Sequence, residues 1–70
     1  MPSEVTIPPL PSIPDNATAA QIECYEDRLS DFFDSVLDCI KKGGTVAQVQ
    51  ACVNTAHNNL IAGNGICDTL

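Results

Sequence analysis

Basic residues are scarce: three Lys and Arg stand against nine Asp and Glu, for a net charge of -6 and a pI near 4.1. Nucleic acids and anionic membranes are bound through basic surface, so neither is an expected partner. Tryptophan is absent and histidine occurs once, at His57. Catalysis by a nucleophile needs a base beside it and a group that orients the base. On a helix, Cys52 and His57 would point about 140° apart, so they do not form such a pair. The expectation is a protein with neither catalytic activity nor a cofactor. No apolar run approaches the roughly 20 residues that span a bilayer, and membrane insertion is not expected. No charged-then-apolar leader opens the chain, as expected where a secretory signal has been removed or never existed. Close cysteine pairs, the usual zinc-binding arrangement, are missing too, so no metal site is expected.

The 70 residues are 44% hydrophobic, enough for one small domain. Four cysteines stand at Cys24, Cys39, Cys52 and Cys67. An even count in a short chain is the mark of a disulfide-stapled domain from an oxidising compartment, and secretion is the expected localisation. Reduced structural thiols are the competing reading.

All five prolines fall within residues 1–16. Proline fixes φ and removes a backbone donor, so this arm is expected to be extended, in a polyproline-II conformation. Ile7, Leu10 and Ile13 recur every third residue and share one edge of such a helix. The arm is therefore expected to lie along a helical groove as part of the core. A second reading makes Pro8-Pro9-Leu10-Pro11 a recognition motif for another domain, although no Arg or Lys accompanies it.

Thr18-Ala19-Ala20-Gln21 has the capping-box pattern. Ile22, Tyr25, Leu29, Phe32, Val36 and Cys39 follow at steps of three and four, widened by Phe33, Leu37 and Ile40. Lys41-Lys42-Gly43-Gly44 is a stop, with cations at the negative end of the helix dipole and glycines to leave it. A first helix is predicted over about 19–42. Thr45-Val46-Ala47-Gln48 repeats the capping box, and Val49, Val53, Ala56 and Leu60 form one face. Gly63-Asn64-Gly65 is read as the end, giving a second helix over about 46–62.

Cys24 and Cys39 would lie roughly 22 Å apart on one helix, beyond the ~7 Å that a disulfide bridges. A two-glycine connection favours antiparallel neighbours. Cys39 then meets Cys52 at the turn and Cys24 meets Cys67 at the open end. If the glycines did not turn, two chains could exchange second helices and form the same pairs between molecules. The predicted fold is all-α: a disulfide-stapled antiparallel two-helix hairpin over 17–70, with an extended proline-rich arm over 1–16. Two such hairpins could pair as a four-helix bundle, so a homodimer stays open.

Two surfaces are candidates for binding. Asp27, Asp31, Asp34 and Asp38 fall within about 60° of arc on the first helix. They suit a solvated face or a basic receptor surface better than Ca²⁺, whose sites need six to eight oxygens from a loop. Phe33 and Leu37 widen the apolar face beyond what an alanine-rich second helix covers, leaving a core, dimer or ligand contact open. The expected activity is that of a small secreted protein acting on a protein receptor or target, as signal, effector or toxin-like ligand. Alternatives are a carrier of a small apolar ligand in a dimer cavity and an intracellular adaptor presenting the proline arm. Asn16-Ala17-Thr18 is a glycosylation sequon, making Asn16 a candidate acceptor.

Overall fold

The computed structural model describes residues 5–70; Pro2, at the start of the predicted arm, lies outside them. Two helices, α1 (Ala19–Lys42) and α2 (Val46–Cys67), fold back on one another in a body of 40 × 17 × 16 Å. Each begins with the predicted capping box. The Thr18 hydroxyl accepts from Gln21 N–H while the Gln21 side chain accepts from Thr18 N–H, and Thr45 with Gln48 does the same. Two orphan donors per helix are thereby satisfied, worth about 1 kcal/mol at each cap.

α1 ends as its sequence implies. Lys41 and Lys42 occupy the last turn, and Gly43 N–H donates to the Cys39 carbonyl at 3.3 Å. Gly43 and Gly44 have φ of 67° and 106°, so the reversal uses backbone that side chains resist. The turn closes within one chain. Cys39–Cys52 bridges its base with Cα atoms 5.8 Å apart, and Cys24–Cys67 bridges the open end at 5.7 Å. All four cysteines are paired, in the predicted connectivity. Such bridges fit an oxidising compartment.

The end of α2 differs from the expectation. Rather than stopping at 62, the helix passes through Gly63 and Gly65 and ends at Cys67, with Asp68 as its cap. Glycine inside a helix costs about 1 kcal/mol relative to alanine, so local preference does favour a stop. Tertiary contacts override it. Gly63 is buried, and a Cβ there would stand 2.7 Å from the Cδ of Arg28. Its missing side chain therefore lets the Arg28 stem cross close to α2. The extra turn carries Cys67 into full burial opposite Cys24. Gln21 Nε2 donates to the Asp68 carbonyl at 3.4 Å, and Tyr25 donates its hydroxyl hydrogen to the Asp68 carboxylate.

The core is a seam of Phe32, Val36 and Cys39 from α1 against Val49, Val53, Ala56 and Leu60 from α2. Among the described residues the arm adds Val5, which is 5% exposed, to this core. Ile7, Leu10 and Ile13 stay 42%, 40% and 39% exposed, so the predicted aliphatic edge is only partly buried. The arm nevertheless lies on the hairpin and runs parallel to α2. Thr6 meets Gln50, Pro9 meets His57, and Ser12 and Ile13 lie by Leu60 and Asn64. It leaves through a turn at Asp15 and Asn16, where Ala17 N–H donates to the Pro14 carbonyl at 3.1 Å.

Candidate functional site

Helix period places the outward surface of α1 as the sequence implied. Asp27, Asp31, Asp34 and Asp38 are all exposed on its back. Among the described residues a single ion pair touches this stripe, Arg28 to Asp31 at 3.9 Å, and both side chains are well solvated. Such a contact contributes little to stability. The stripe is thus a largely uncompensated negative surface, and like charges at i,i+4 cost it a few tenths of a kcal/mol per pair.

Elsewhere on α1, Phe33 is 45% and Leu37 54% exposed. Phe32 and Phe33 are sequence neighbours about 100° apart on the helix, and that angle separates their fates. Phe32 enters the seam at 2% exposure, whereas Phe33 stays at the edge, its ring 5.6 Å from that of Phe32. Helix period sets Leu37 about 90° and Phe33 about 130° around α1 from the centre of the acidic stripe, so the apolar edge and the carboxylates are two separate parts of its exposed surface. Asn16 is exposed in the turn ahead of α1, on the opposite side of the cap from the helix body.

The two sides of the hairpin are unlike. One carries the arm. The other is an open furrow lined by Arg28, Asp31, Ser35, Asp38 and Lys42 of α1 with Thr55 and Asn59 of α2. Its larger recess has a volume of about 210 Å³, below the roughly 300–1,000 Å³ of sites that enclose small organic ligands. Among the described residues no cluster of three or more His, Cys, Asp or Glu is arranged to hold a metal ion.

His57 has a place the periodicity did not give it. It sits under the arm with Nε2 3.0 Å from the Pro9 carbonyl. A carbonyl only accepts, so the ring nitrogen is the donor. The ring also stands edge-on to Phe32, centroids 6.2 Å apart. Cys52 is bridged to Cys39 and carries no free thiol.

Gln50 is the other residue the sequence reading passed over. Thr6 N–H donates to its Oε1 and its Nε2 donates to the Thr6 carbonyl, both at 2.9 Å. The amide grips the arm as a neighbouring strand would. A signal was present: Gln50, His57 and Asn64 are spaced by seven, so they share the helix face on which the arm lies. No protein-family model, no curated protein and no solved structure matches this chain.

Proposed function

We propose that this chain is a secreted, non-enzymatic protein that acts by binding a protein receptor through the outer face of α1. The observation that carries this reading is the half-exposed Phe33 and Leu37 on the same helix as four solvated carboxylates. An apolar patch with a polar border is the usual anatomy of an interaction site. Phe33 supplies the aromatic anchor, and a basic receptor surface would be steered by Asp27, Asp31, Asp34 and Asp38. Two disulfides support an extracellular setting, where they persist.

The other readings have less support. An adaptor working among intracellular reductants would keep its thiols free, and here all are paired. Its proline motif would also have to be available, whereas the Pro9 carbonyl is already engaged. A carrier would need a second copy to enclose its ligand. Sedimentation at about 7 kDa and high micromolar concentration, with no lipid in native mass spectra, would remove it.

The test is capture of extracellular or cell-surface protein on immobilised oxidised chain, compared with two variants. Phe33→Ser with Leu37→Ser is expected to lower affinity for the captured partner at least tenfold, through faster dissociation at an unchanged association rate. Replacing the four aspartates with asparagine is expected to slow association and flatten its salt dependence. A partner bound equally by all three proteins would place the contact elsewhere and refute this reading.

A further inference from the structure

The arm and α2 meet in a repeating register. Gln50, His57 and Asn64 recur every seven residues on α2, and Thr6, Pro9 and Ser12 recur every three along the arm. Two helical turns advance about 10.5 Å, and one polyproline-II turn advances about 9 Å. The two repeats thus keep step over three rungs. At the first, Gln50 pairs with both the N–H and the carbonyl of Thr6. At the second, His57 donates to the Pro9 carbonyl. At the third, Asn64 and Ser12 line the same small cavity between arm and helices, and the buried Oδ1 of Asn64 has no hydrogen-bond partner among the described residues.

Two features of this ladder are those of a peptide-binding surface. Its bonds go to the main chain of the arm, which gives affinity without demanding particular side chains. The acceptor of its third rung, Asn64 Oδ1, is unanswered by the segment now seated there. The arm thus fills the first two rungs and leaves the third open to a donor.

We propose that Gln50, His57 and Asn64 form a binding site for an extended, proline-containing peptide of a partner protein, with the arm as its occupant in cis. The ligand it fits has an apolar residue one place before the first rung, as Val5 is here. It has a free N–H and carbonyl at the first rung, a carbonyl at the second, and a hydrogen-bond donor side chain at the third. Ser12 makes no hydrogen bond to Asn64 Oδ1, and the longer asparagine amide would offer it two donors. The site is separate from the Phe33–Leu37 edge and stands or falls without it. Because the arm is tethered a few residues away, its effective concentration is of millimolar order, and an incoming peptide must compete with that.

The probe is a fluorescent peptide of sequence VTIPPLPSIP, with a second version carrying asparagine in place of its serine. The host is the full-length oxidised chain with residues 5–14 replaced by glycine and serine, its disulfide map and circular dichroism checked against the natural chain. Anisotropy is expected to show binding to this host and at least tenfold weaker binding in Gln50→Ala or His57→Ala hosts. The asparagine peptide is expected to bind at least tenfold tighter than the serine peptide, and to lose that advantage in an Asn64→Leu host. Equal binding to all hosts, or none to a correctly folded host, overturns the proposal. So does an arm-dependent dimer by sedimentation without peptide binding, which would assign the ladder to exchange between copies. Should the altered host not fold, the natural chain decides: millimolar peptide must shift the His57 ring protons, and unmoved ring signals refute the site.

Discussion

Tyr25 and Asp68 show how one pair of side chains ties the ends of this molecule together. The phenol donates to the Asp68 carboxylate, and that bond, with burial and the nearby negative charge, raises the Tyr25 pKa above its ordinary 10.0. The folded protein therefore holds the phenolic proton more tightly than the unfolded chain does. The resulting stabilisation is complete below pH 10 and is lost as pH rises through the raised value. Ultraviolet titration of tyrosinate should give a midpoint above 10 in the native protein. In Asp68→Asn it should fall back toward 10; identical midpoints in the two proteins would show that this contact does not form. Nothing local in the sequence announces the pair, because its partners are 43 residues apart and meet only when α2 is fully extended.

At the scale of the element, α2 is the informative case. Its start was legible, since a capping box is satisfied within four residues and needs no partner. Its end was not. Gly63-Asn64-Gly65 is a genuine local preference for stopping, overcome by burial of Cys67 and by the Arg28 stem lying over Gly63. Substitution should separate the two contributions. A Cβ on Gly65 meets nothing within 4 Å, so Gly65→Ala should stabilise the protein by about 0.5–1 kcal/mol in urea melts. Gly63→Ala carries the same helical gain but must displace Arg28, and should stabilise by less. Equal effects would mean that the Arg28 contact has no energetic weight.

For the molecule as a whole, the two bridges act differently. Chain-entropy arithmetic assigns about 3 kcal/mol to the loop closed by Cys39–Cys52 and about 4 to that closed by Cys24–Cys67, though nested loops do not add. Replacing Cys39 and Cys52 with serine should lower stability while leaving both helices at full length. Replacing Cys24 and Cys67 should also release the last turn of α2, because its glycines are then unsupported. Hydrogen exchange at Gly65, Ile66 and Cys67 should rise by at least tenfold in the second variant and much less in the first. Comparable protection in both would show that packing, not the bridge, holds that turn.

The hairpin itself was readable from order along the chain. Apolar period, capping boxes, a two-glycine reversal and cysteines placed symmetrically about it all act over a few residues, and all point to one geometry. The acidic stripe and the Phe33–Leu37 edge were readable for the same reason, since helical phase alone decides which side chains face out. What remained hidden required two distant segments to meet: the arm on Gln50 and His57, the unpaired Asn64 beside Ser12, the passage of α2 through its glycines, and the Tyr25–Asp68 pair. Those depend on the relative position of surfaces 35 or more residues apart, a quantity to which no local pattern is sensitive and which only tertiary contact establishes.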